Sequence, residues 1–195
     1  MHFVIPVLMM FALGTPAFSE DAKHWMGDDG LHKADWMRDT FLDLSEDLAE
    51  ANAEGKRLLV IWEQRGCIYC TKMHEEVLPR EDIDAYLREN FFVVQLNLFG
   101  DLEVTDFDGD VRSEKDMAMK WGIMFTPSFM FFPKEVGADV TGRDASVVTM
   151  PGAFGYHTTK NLLSWVVEEG YAGEENFQKY HARKFAASQE AQENE

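Results

Sequence analysis

Cys67 and Cys70 are the two cysteines of the 195-residue chain, and only two residues separate them, in Glu63-Gln-Arg-Gly-Cys-Ile-Tyr-Cys70. Such a pair can hold a metal, staple a loop or exchange electrons. A metal would find Cys67, Cys70 and His74 on about a turn and a half of chain, three plausible zinc or copper ligands. A fourth ligand is missing, because no second Cys-x-x-Cys exists and His24, His32, His157 and His181 fall in the lead-in or the C-terminal region. Covalent haem attachment needs His directly after the second cysteine, and Thr71 stands there. A staple closing so short a loop constrains the unfolded chain little.

Electron exchange is the chemistry that uses the placement. The apolar run Arg57-Leu-Leu-Val-Ile-Trp62 predicts a strand covered on both faces, and Cys67 to Leu78 predicts a helix that Pro79 stops. Cys67 then stands at a helix start, where unpaired N–H groups and the helix dipole stabilise an anion. That position lowers a thiol pKa from about 8.5 into a range of roughly 3.5 to 7.5, so Cys67 is predicted as the attacking thiolate. Cys70, one turn on and more buried, is the resolving thiol.

Around this pair the chain predicts one compact domain. Asp35 to Ala53 carries Phe41, Leu44, Leu48 and Ala51 at helical spacing, ending at Gly55. Glu81 to Glu89 predicts a short helix and Phe91 to Leu98 a second strand, parallel to the first. Phe99 to Arg112 is an acidic loop. Its Asp106-Phe-Asp-Gly-Asp110 matches the opening of a calcium loop, but Met117 stands where the twelfth-position Glu belongs, so a solvated loop is predicted. Ser113-Glu-Lys-Asp116 caps a helix closed by Gly122, Ser128 to Phe132 and Val147 to Gly152 predict an antiparallel pair, and Thr158 to Tyr171 a helix. The fold class is α/β, a central mixed sheet flanked by helices.

The ends are different. Phe3 to Leu13 is apolar and Ala17-Phe-Ser19 suits signal peptidase, so residues 1–19 predict an export signal, although its start holds only His2 and no Lys or Arg. The stretch is well short of the roughly 20 apolar residues a spanning helix needs. Export places the protein in the periplasm, where disulfides form. Residues 20–34 predict a flexible lead-in and 173–195 a polar helical or disordered tail. The formal charge of −17 argues against binding nucleic acid or anionic lipid, both of which rely on basic patches.

Strand, Cys-x-x-Cys helix, strand, helix, Thr126-Pro127 before a hairpin and a last helix together resemble the thioredoxin superfamily across residues 35–172, with an extra N-terminal helix and a C-terminal helical tail. Trp62-Glu-Gln64, Tyr69, His74-Glu-Glu-Val-Leu78 and Val94 to Gly109 are similar to exported thioredoxins of bacterial sulfur oxidation, the SoxW/SoxS type. The resemblance implies a thiol–disulfide oxidoreductase with no organic cofactor. It implies a cis Pro127 that docks substrate, Thr126 beside Cys67, and Ile68 and Tyr69 facing the client. Its implied partners are a client protein with a disulfide, such as a sulfur-oxidation carrier, and a membrane thiol transporter of the CcdA/DsbD kind as electron donor. A disulfide oxidase or isomerase, and a metal-binding chaperone using Cys67, Cys70 and His74, are the alternatives.

Four positions, in three places, depart from thioredoxin. Gly66 replaces the Trp before the first cysteine, and Ile68-Tyr69 replaces Gly-Pro between the two. Ile61 occupies the place of the buried Asp six residues before the first cysteine. Alternation along a strand puts Glu63 on the same side as Ile61, so Glu63 is predicted to take over as the base that deprotonates Cys70.

Overall fold

A computed structural model describes residues 24–193, so the predicted export signal and its cleavage site lie outside the described residues. The chain opens with an antiparallel hairpin, β1 (His24–Met26) and β2 (His32–Ala34), and then adds a two-residue edge strand, β3 (Met37–Arg38). The described part of the lead-in is therefore structured, a correction to the flexible segment expected there. A turn at Gly30, whose φ of 77° favours glycine, lets the hairpin close over side chains it shares with the domain.

The first helix, α1 (Leu44–Ala53), is shorter than the sequence pattern predicts. Leu42 adopts a left-handed φ of 58° and Asp43 caps the helix by accepting from the N–H groups of Ser45 and Glu46. Leu44, Leu48 and Ala51 are buried as their spacing requires, whereas Phe41 precedes the cap and is 94% exposed. Then follow β4 (Arg57–Glu63), α2 (Ile68–Lys72) with a π-helical turn at Met73–Val77, α3 (Glu81–Asn90) and β5 (Phe91–Asn97). The hairpin β6 (Glu103–Thr105) and β7 (Val111–Ser113) precedes α4 (Glu114–Trp121), which Ser113 caps and Gly122 ends in the left-handed conformation. The chain closes with β8 (Ser128–Phe131), α5 (Gly142–Ala145), β9 (Val148–Pro151), α6 (Tyr156–Val167) and α7 (Phe177–Glu193).

The main sheet has the order β3-β5-β4-β8-β9, with β3 and β4 parallel to β5 and the β4-β8 and β8-β9 pairs antiparallel. Every residue of β4 is buried, so its alternation feeds two cores. Leu59 and Ile61 join Phe91, Val93, Phe129 and Phe131 beneath α3 and α6, while Leu58, Val60 and Trp62 join Phe92, Val94 and Met130 beneath α1 and α4. Each such side chain contributes about 1.5–3 kcal/mol by leaving water. The tail helix is docked at its start, because Tyr180 belongs to the first of these cores. No helix among the described residues is long and apolar enough to cross a membrane.

Candidate active site

At the carboxyl end of β4 the chain turns through Gly66, whose φ of 72° is left-handed. Open space surrounds the position a Cβ would take there, so backbone conformation rather than crowding selects glycine at this position. Cys67 follows in extended conformation as the N-cap of α2, and its Sγ accepts from the Cys70 backbone N–H at 3.0 Å. The Thr126 hydroxyl donates to the same sulfur at 3.3 Å, and the Thr126 carbonyl oxygen lies 3.4 Å from it. These donors face the atom that carries charge when the pair is reduced, which favours the thiolate at Cys67.

The two sulfurs are joined as a disulfide, Cys67 being 6% exposed and Cys70 fully buried. Thr126 stands beside Cys67 as the resemblance implies, and the Thr126–Pro127 peptide bond is cis. Ile68 and Tyr69, between the cysteines, are both exposed. Sequence reasoning missed their neighbours Met124 and Phe125, two more exposed apolar side chains immediately before Thr126. An apolar pair next to the cis-proline position was a signal available in the sequence.

Behind the disulfide lies a buried polar cluster. Glu63 ends β4 on the same face as Ile61, as alternation requires, and is fully buried. Its Oε1 lies 2.9 Å from His74 Nε2, and its Oε2 accepts from Gln95 Nε2 at 2.7 Å. Gln95 sits on β5 opposite Ile61 and also donates to the carbonyl of His32. His74 Nδ1 lies 2.9 Å from His24 Nδ1, and the His32 ring stacks on His74 at 5.0 Å while its Nε2 meets the Thr71 hydroxyl at 2.8 Å. Burial pushes the pKa of His24 down to about 4, with the neighbouring His74 acting in the same direction, and burial also lowers that of His32.

Hence both ring nitrogens of His74 are engaged, by Glu63 and His24, rather than turned to the sulfurs as a metal site of Cys67, Cys70 and His74 would require. Among the described residues, no group of three or more His, Cys, Asp or Glu is arranged to hold a metal ion. The functional company of His24, His32 and Gln95 was not read from the sequence. Two polar residues near the ends of otherwise apolar strands, and a His four residues after Cys70 on a buried helix face, were its traces.

The acidic loop is not solvated throughout, which corrects the sequence expectation. Asp106 is 1% exposed and accepts from the Trp121 indole and the backbone of Gly142 and Phe107. The ammonium of Lys120 lies 2.8 Å from Asp106, 2.8 Å from Asp108 and 3.0 Å from Asp110. Burial pushes the Lys120 pKa down, but hydrogen bonds to the three carboxylates outweigh it and hold it above the ordinary lysine range. A lysine thus sits where a calcium loop would hold its ion.

The sequence matches the family model of a thioredoxin-like domain over residues 44–143. Similar solved structures include a thioredoxin-fold protein from Helicobacter pylori, 17% identical, over 71% of this chain and 85% of that one, with a TM-score of 0.49. A thioredoxin from Thermus thermophilus is 23% identical over 65% of this chain and 85% of that one, with a TM-score of 0.49. The oxidised DsbD C-terminal domain of Neisseria meningitidis is 12% identical over 64% of this chain and 90% of that one, with a TM-score of 0.41. No curated protein matches the chain. On the family match, the sheet order and the disulfide at the head of α2, the chain belongs to the thioredoxin-like domain family and is a thiol–disulfide oxidoreductase.

Proposed function

We propose that the protein is an exported, periplasmic reductant of disulfides in partner proteins, of the SoxW/SoxS type. The observation that carries the exchange chemistry is the convergence of the Cys70 N–H and the Thr126 hydroxyl on Cys67 Sγ. In the reduced protein the Cys67 thiolate attacks one sulfur of the client disulfide, forming a mixed disulfide and expelling the client's other sulfur as thiolate. Cys70 gives its proton to the Glu63 carboxylate and attacks Cys67 Sγ. The Cys67–Cys70 bond forms, the mixed disulfide breaks, and two electrons have passed to the client.

Ile68, Tyr69, Met124 and Phe125 provide an exposed apolar rim for the client chain, with Thr126 and Pro127 beside the reacting sulfur. Each turnover leaves the protein oxidised and it has no further cysteine, so a dithiol partner must reload it. A membrane thiol transporter of the CcdA/DsbD kind supplies that chemistry, and a cysteine-bearing carrier of sulfur oxidation is the proposed client.

The test is the reduction potential of the pair, from equilibration with dithiothreitol or glutathione buffers. A reductant has a potential near the thioredoxin end, about −270 mV. A potential near the DsbA end, about −120 mV, would make the protein a disulfide donor and overturn the direction proposed.

A further inference from the structure

We propose that the N-terminal hairpin is part of the catalytic apparatus: through His24 and His32 it fixes the ring and tautomer of His74, which holds the Glu63 carboxylate ionised and ready to take the proton of Cys70. The inference rests on the role given to Glu63 above and names the residues that set it.

The bonds allow few arrangements. A proton must lie between His24 Nδ1 and His74 Nδ1, and another between His74 Nε2 and Glu63 Oε1. If Glu63 is ionised and His74 neutral, His74 donates its Nε2–H to the carboxylate and accepts at Nδ1 from the Nδ1–H of His24, leaving His24 Nε2 as a bare lone pair. A doubly protonated His74 would donate from both nitrogens and leave His24 to carry its hydrogen at Nε2. If instead Glu63 donates its own proton to a bare His74 Nε2, His74 carries its hydrogen at Nδ1 and His24 must carry one at Nε2. Among the described residues His24 Nε2 is buried without a hydrogen-bond partner, and an N–H enclosed there would be an unsatisfied donor. The first arrangement avoids that loss. A neutral His24 is also what its burial imposes, its pKa being pushed down to about 4.

In the first arrangement the two oxygens of Glu63 accept from different groups, His74 at Oε1 and Gln95 at Oε2. Donors to a carboxylate favour its charged form. His74 stands four residues after Cys70, both buried on α2 and its π-helical continuation, so the supported carboxylate lies on the helix face that carries the resolving thiol. His32 closes the cluster from the other side, its ring stacked on His74 and its Nε2 at the Thr71 hydroxyl, which itself donates to the Cys67 carbonyl. The other charged groups around the three rings are Glu75 on the π-helical turn, Asp84 and Arg88 on α3, and Asp35 after β2. Lys33 of β2 reaches the amide oxygen of Gln95 and so orients its Nε2–H toward Glu63.

The test follows both phases of the reaction of the reduced full-length protein with dithiobis(nitrobenzoate) by stopped flow: attack by Cys67, then release of the second thiolate by Cys70. With His74→Phe the carboxylate loses a donor, so the acid limb of the second phase moves to higher pH and resolution at neutral pH slows by about tenfold or more. The first phase keeps its rate. His24→Phe acts in the same direction with a smaller shift. His74→Gln, whose amide N–H replaces Nε2–H, restores the wild-type profile.

A slowing of both phases with no movement along the pH axis, or failure of His74→Gln to restore the profile, would show that the cluster is only structural and overturn the inference. Glu63→Gln, run beside them, separates this failure from that of the base itself. If Glu63→Gln resolves like wild type, the role of Glu63 is wrong; if it is slow while His74→Phe keeps the wild-type profile, only the inference is wrong.

Discussion

Glu63 and Asp106 are both buried carboxylates at the edge of an apolar core, and their surroundings differ in one respect that separates chemistry from structure. Asp106 meets a fixed cation, Lys120, and donors from Trp121, Gly142 and Phe107. That cation is permanent, and Asp106 shares it with Asp108 and Asp110. Glu63 meets a histidine and an amide, neither of which carries a fixed charge, and the resolving cysteine lies one turn up the same helix as that histidine. A third, Asp47, is 3% exposed and among the described residues has only the Thr40 hydroxyl, 3.3 Å away. Burial, with Asp43, Glu50 and Glu46 adding to it, pushes its pKa up to about 7 despite that bond. Depth alone therefore does not single out the carboxylate proposed for proton transfer; its partners do.

The contrast can be broken first at Asp106. Asp106→Ala strands the Trp121 indole and two backbone donors, while Lys120 keeps Asp108 and Asp110, and should cost about 2–4 kcal/mol of unfolding free energy in denaturant titrations. The variant that remains folded should exchange disulfides at the wild-type rate; a lost rate in the folded fraction would put Asp106 into the chemistry. Asp47 sharpens the comparison with a smaller effect. Its folded pKa lies above its unfolded value, so stability is complete at acid pH and is lost as pH rises through about 7. Asp47→Asn should accordingly raise stability by about 1–2 kcal/mol near pH 8 and leave it nearly unchanged only below about pH 4, where Asp47 is protonated in both states.

The histidine side has the opposite sign. His24 has a folded pKa below its unfolded value, so its contribution is present above about pH 6.5 and is lost as pH falls toward about 4. Hydrogen exchange should find the amides of the β1-β2 pair losing protection across that window while β4 and β5 stay protected. Protection that holds evenly down to pH 4 would mean that the hairpin does not depend on a neutral His24. The smallest effect expected is on the stability of Glu63→Gln, about 1 kcal/mol, because the amide oxygen keeps one of the two donors and only the other, His74 or Gln95, is left facing an N–H. A loss comparable to that of Asp106→Ala would make Glu63 a structural group.

Much of the site was legible in the sequence because its signals are local. The apolar run of β4, the Cys-x-x-Cys that follows, the cap at Ser113 and the stop at Gly122 each rest on a few adjacent residues. Alternation along one strand was enough to place Glu63 on the side of Ile61. What stayed hidden depends on contacts across long separations: His24 meets His74 across 50 residues, and His32 meets Thr71 across 39. The hairpin that carries both is too short and too polar to show a period. Lys120 was hidden for a similar reason, since its three aspartates lie before β7 and the lysine itself on α4, so the acidic loop displayed its charge without its partner.

The most direct measurement is the rate at which Cys70 resolves the Cys67-linked nitrothiobenzoate adduct in wild type and Glu63→Gln, between about pH 6 and 9. A base that takes the Cys70 proton contributes about a hundredfold or more, so the variant should resolve slowly across neutral pH and recover only where the thiol ionises unaided, while the first attack by Cys67 keeps its rate. Equal resolution rates for the two proteins across the whole range would contradict the account at its centre.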